Sequence, residues 1–162
     1  GFHMKDTDME QTVRSVIRRM TASSVMNLAF ARNLIREVEK KAQEMGVKAV
    51  VAVSDAAGRP VAIECMDGAY IGSFDVALNK TFTSVAFQMS TAELGKLASP
   101  GGSLYGIQNT NDGKIVIFGG GEPLYVDDVL IGAIGVSGGT AEQDTALGAY
   151  GKNIAKEVIS WK

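Results

Sequence analysis

The chain has 162 residues, 46 % of them apolar and 21 % charged, which is the size and composition of one globular domain rather than a disordered segment. A formal charge of −2 leaves no concentrated basic face for a nucleic acid, and no apolar run approaches the roughly 20 residues of a membrane span. The single cysteine, Cys65, cannot close an internal disulfide, so a cytoplasmic setting is expected.

Gly1-Phe2-His3-Met4 reads as a cloning scar ahead of a start at Met4. His3 is the only histidine, so the remaining chain has no imidazole to serve as base or ligand. Thr7-x-x-Glu10 has capping-box form, and Met9, Val13, Val16, Ile17 and Met20 follow at helical spacing. Residues 5–22 are therefore read as an amphipathic helix and linker, and 23–162 as the main domain. A longer helix carries the stripe Leu28, Ala31, Ile35, Val38, Ala42 and Met45, with Gly46 as its stop.

Lys48–Ser54 and Pro60–Met66 are predicted strands around the turn residues Asp55-Ala56-Ala57-Gly58. A charge-poor helix is expected from about Tyr70 to Gln88, one face on the sheet and another on a subunit or ligand. Ala98–Asp112 reads as a loop, and Lys114–Phe118 as a short strand running into Gly119-Gly120-Gly121-Glu122-Pro123. Leu124–Val126 and Val129–Ser137 form a predicted hairpin around Asp127-Asp128, and a last helix spans about Thr140–Ser160. The ordering predicts an α+β layered domain with five mostly antiparallel strands.

Gly135-Val136-Ser137-Gly138-Gly139 fits G-x-S-x-G, but a nucleophilic serine needs a base, and only a lysine such as Lys80 is on offer. The plainer reading is a strand-to-helix turn capped by Thr140, whose backbone amides could also cradle an anion. Gly119-Gly120-Gly121 allows close approach of a ligand or of a neighbouring chain. On the third helix Ser73, Ala77, Lys80, Ser84 and Phe87 share one face, with Thr83 on a second polar line. Lys80 is read either as one half of an ion pair or as a cation at a pocket mouth receiving a carboxylate. The candidate site comprises Ser73, Lys80, Thr83, Gly119, Gly120, Gly121, Pro123, Gly138 and Gly139, with no catalytic residue assigned and no metal-ligand spacing in the chain.

Met66-Asp67-Gly68-Ala69 with Ser73-x-x-x-Ala77-x-x-Lys80-x-x-Thr83 resembles the central block of the GlcG/HbpS/PduO C-terminal family. Gly119–Pro123, the run Ile131–Gly139 with Asp144, Leu28-Ala29-x-Ala31-Arg32 and Val51-Ala52-Val53-x-Asp55-x-x-Gly58 extend the resemblance over about Ser24 to Lys156. It implies a profilin-like fold, a five-stranded antiparallel sheet flanked by helices on both faces, and a homo-oligomer. It also implies a non-catalytic role binding haem or a related tetrapyrrole or corrinoid. The alternatives are an enzyme acting on a small carboxylate or aldehyde, or a structural assembly protein. Adenosyltransferase activity in this family belongs to a separate N-terminal domain. With no histidine beyond His3, a haem would take Tyr, Met, Cys, Lys or a hydroxyl as axial ligand, or bind without one, and Tyr70, Met66 and Cys65 lie near the central block. The Met9–Met20 helix resembles encapsulation peptides of bacterial microcompartment cargo, which would give it a shell partner and place the protein in the microcompartment lumen. The other reading of that helix is an extra element packed on the domain or on a neighbouring subunit.

Overall fold

A computed structural model describes residues 5–159; the predicted scar at 1–4 and the last three residues lie outside the described residues. Helix α1 (Asp6–Ala22) begins one residue before the predicted cap, so Thr7 sits within its first turn, with Asp6 and Asp8 at the positive end of the helix dipole. Helix α2 (Leu28–Glu44) is capped by Asn27, whose side chain accepts from the Phe30 N–H at 2.9 Å. It ends at Gly46, which takes the left-handed conformation with φ of +71°.

Strands β1 (Val50–Asp55), β2 (Pro60–Cys65), β3 (Gly121–Val126) and β4 (Val129–Ser137) form one antiparallel sheet in the order β2-β1-β4-β3. Val51 and Val53 of β1 face Leu34, Ile35 and Val38 of α2 and Leu147 of α5 (Ala141–Ile159), together with Ile134 and Val136 of β4. Val50 and Ala52 turn to the opposite face and meet Ala77 of α3 (Ser73–Phe87). This two-residue alternation puts helices on both faces of the sheet. Small residues let α3 lie close: a methyl group on Gly135 would strike the Ala77 carbonyl oxygen.

The sheet has four strands among the described residues, not the five expected. Lys114–Phe118 joins no ladder; its backbone is held by the helices α3 and α4 instead. The Thr83 hydroxyl of α3 accepts from the Val116 N–H at 3.0 Å, and a methyl group on Gly95 would strike the Ile117 carbonyl oxygen. Gly95 belongs to α4 (Thr91–Ala98), a helix just ahead of the predicted loop. Its Ser90 cap accepts from the Glu93 N–H at 3.1 Å.

Candidate functional site

Of the predicted site residues, Gly120, Gly138 and Gly139 lie about the buried ammonium group of Lys80, the last two through Asp144. Lys80 is fully buried on α3, where it donates to the Val136 carbonyl at 2.6 Å and lies 3.4 Å from Asp144 Oδ2. The Phe118 ring covers it, with its centroid 5.0 Å away. Burial pushes the Lys80 pKa down, while the Asp144 carboxylate works against that shift. Asp144 also accepts from the Gly139 N–H at 2.8 Å and the Gly138 N–H at 3.4 Å. Lys80 thus joins α3 to the end of β4 and the start of α5.

The glycines bring the backbone within reach of this pair. Gly120 has φ of +123°, and a β-carbon there would lie 2.7 Å from Lys80 Nζ. A β-carbon on Gly119 would strike Thr145, and one on Gly121 would lie 2.9 Å from Ser84 Oγ. The chain's own atoms therefore occupy the space that the three glycines leave open. Pro123 is buried in β3 opposite Ala133. Ser73 Oγ and Ser137 Oγ lie 3.2 Å apart. Thr83 donates to the Asn79 carbonyl at 2.8 Å as well as accepting from Val116.

The strand-to-helix turn has spent its amides. Gly138 and Gly139 donate to Asp144, the Thr140 N–H donates to Gln143 Oε1 at 2.9 Å, and the Gln143 N–H returns to Thr140 Oγ1 at 3.1 Å. An anion arriving here would need a different donor.

That donor stands next to the turn. Gly46, Val47 and Lys48 separate two recesses that share them as a common wall. One recess, of about 280 Å³, is lined also by Gly68, Tyr70, Gly138, Gly139 and Gln143. The other, of about 540 Å³, is completed by Glu39, Gln43, Cys65, Met66 and Asp67. Both lie in or near the range of small-ligand sites. Lys48 is exposed and brings a cation to both recesses. Met66 Sδ accepts weakly from the Ala49 N–H at 3.4 Å, while Cys65 and Tyr70 are exposed.

Glu39 adds a titrating group to the larger recess. Its pKa is pushed up to about 7, first by burial and then by the Glu64 carboxyl beside it, with Arg36 opposing. Lys48, Glu39 and Gln143 were not among the predicted site residues. The one signal for Lys48 was its place directly after Gly46-Val47, at a helix-to-strand turn. Of the predicted residues, Gly138 and Gly139 border a recess, whereas Lys80, Thr83 and the triple glycine make the buried framework behind it.

Among the described residues, no three His, Cys, Asp or Glu side chains gather into a metal-binding group, and no helix is long and apolar enough to cross a membrane. The chain is 44 % identical over 124 residues to an uncharacterized 15.0 kDa protein of the dhaT-dhaS intergenic region of Citrobacter freundii, covering 76 % of this chain and 87 % of that one. It is 40 % identical over 153 residues to the corrinoid adenosyltransferase PduO of Salmonella typhimurium. That match takes in 86 % of this chain but 46 % of PduO, so the chain spans less than half of that relative. Among solved structures it resembles the PduOC:heme complex, with 37 % identity and a TM-score of 0.73 over 75 % of this chain and 88 % of that one. The family model described as haem degrading protein HbpS-like matches residues 26–152, and with these blocks in one continuous domain the chain belongs to the HbpS-like family.

Proposed function

We propose that this chain is a homo-oligomeric binding protein for haem or a closely related tetrapyrrole, acting through the groove around Lys48 rather than through a catalytic centre. The observation that carries this reading is the 37 % identity to a chain solved as a heme complex; in support, this chain has a groove with the cation of Lys48 on its wall. The residues present suit such a group. Lys48 would hold a propionate, and Tyr70, 75 % exposed on the rim, offers a broad face and a phenol. With no histidine among the described residues, an axial contact would come from Tyr70, Cys65 or Met66. Bound iron would supply the redox and gas-ligand chemistry; the chain supplies binding and orientation.

The buried framework supports this division of labour. Lys80 and Asp144 hold the Gly138-Gly139 turn in place, and that turn forms one wall of the smaller recess. Exposed Ile71 and Phe74 at the start of α3 supply an apolar patch for a neighbouring subunit or for the ligand's edge. The kinship with PduO supports a microcompartment setting for the protein. Titration with hemin tests the binding: a saturable shift of the Soret band is expected, with Tyr70→Phe altering the band if the phenol contacts iron. A strictly linear, unsaturable titration would overturn the reading.

A further inference from the structure

Helix α1 lies outside the 26–152 family match and is attached to the domain the wrong way round for a packing helix. Its polar side faces the body: Arg18 and Arg19 line a recess with Asp127 and Asp128 of the β3–β4 turn, Ser15 is half-buried, and Ala22 is buried. Its apolar stripe points outward, with Met9, Val13, Val16 and Ile17 about half exposed and Met20 74 % exposed. A domain does not gain by holding an apolar stripe in water, so the stripe calls for a partner from outside the chain.

Two features of α1 say what that partner is. Met9, Val13, Val16 and Met20 follow one another in steps of four, three and four, which is the seam spacing of a two-helix coiled coil. The charges off the body-facing side are sorted along the axis: Asp6 and Glu10 lie in the first half and Arg14 in the second, while Arg18 and Arg19 line the recess with Asp127 and Asp128. A second α1 laid antiparallel turns each acidic first half toward the half that carries Arg14 and opposes the two helix dipoles. A parallel arrangement stacks like on like. The stripe is also self-complementary in that direction, with Met9 meeting Met20 and Val13 meeting Val16 of the second copy, as a two-fold contact requires.

We infer that α1 is a pairing element that joins two copies of this chain, antiparallel, through Met9, Val13, Val16 and Met20. The inference is independent of the ligand reading, since neither recess of the groove includes an α1 residue. The test uses full-length chains in a Cys65→Ser background, one carrying Met9→Cys and the other Met20→Cys, co-expressed with different tags and oxidised mildly. Mixed Met9→Cys/Met20→Cys disulfides should dominate over either like pair. Like pairs dominating would mean parallel packing, and no disulfide in any combination would mean a different occupant, such as a shell protein; both overturn the inference. A second variant, Val13→Asp, changes an exposed position and should lower particle mass in solution without loss of helical signal. An unchanged mass would count against pairing in the same way.

Discussion

Replacing Lys80 by methionine keeps most of the side-chain volume and removes the ammonium group from a site with no solvent access. Asp144 is then left with two backbone amides, at 2.8 and 3.4 Å, and no cation, and the Val136 carbonyl loses its 2.6 Å donor. Breaking a buried ion pair from one side costs about 3–5 kcal/mol, and the two retained amides place this case near the lower end, about 3 kcal/mol. In a domain of this size that lowers Tm by roughly 6–12 °C. The double variant Lys80→Met/Asp144→Asn removes the stranded charge and should recover more than half of the loss. Thermal and urea melts of the wild type, both single variants and the double variant give the coupling directly. The pair also predicts an alkaline signature. Burial holds the folded Lys80 pKa below the ordinary lysine value, so between those two values unfolding takes up a proton and the wild type gains stability as pH rises. Lys80→Met should lack that gain. A Lys80→Met variant within about 0.5 kcal/mol of wild type would rule out a stabilising buried pair, because such a small effect belongs to a solvated surface lysine.

Two further outcomes follow from the same geometry. Glu39 holds a proton in the folded protein at pH values where the unfolded chain has released it, so wild-type stability should fall as pH rises from about 4.5 through about 7. Glu39→Gln should flatten that slope, read as a smaller Tm difference between pH 5 and pH 8; an unchanged slope would contradict the assignment. Thr83→Val keeps the shape but leaves the buried Val116 N–H without its 3.0 Å acceptor, which should cost about 1–3 kcal/mol in urea melts. A neutral effect would show that the 114–118 segment is held by apolar packing alone.

The sequence was most readable where local chemistry decides the outcome. Asp127 and Asp128 both take positive φ, at +49° and +63°, in the tight turn expected between the two hairpin strands. Thr140 and Gln143 close a reciprocal cap on α5, and Gly46 ends α2. Reading failed where a distant partner decides. Lys114–Phe118 has strand composition, but a strand is made only by a partner strand in register, and here the hydroxyl of Thr83 on α3 takes the Val116 N–H instead. Lys80 looked equally suited to a pocket mouth and to an ion pair; only the fold brings Asp144, sixty-four positions away, to 3.4 Å. Lys48 carried little signal, since the segments that line the recesses beside it come together only in the fold. The Ser90–Glu93 cap of α4 was there to be read, and it marks a helix that runs up to the predicted loop.

In the proposed function the ligand enters the groove beside Lys48 while Lys80 serves the framework behind it. Parallel hemin titrations of the wild type, Lys48→Ala and the folded Lys80→Met/Asp144→Asn variant distinguish the two positions. A saturable Soret shift is expected for the wild type, with roughly tenfold weaker binding for Lys48→Ala through the lost propionate contact and near-wild-type binding for the double variant. Binding that survives Lys48→Ala unchanged but disappears in the double variant would contradict it and put the ligand at the buried lysine.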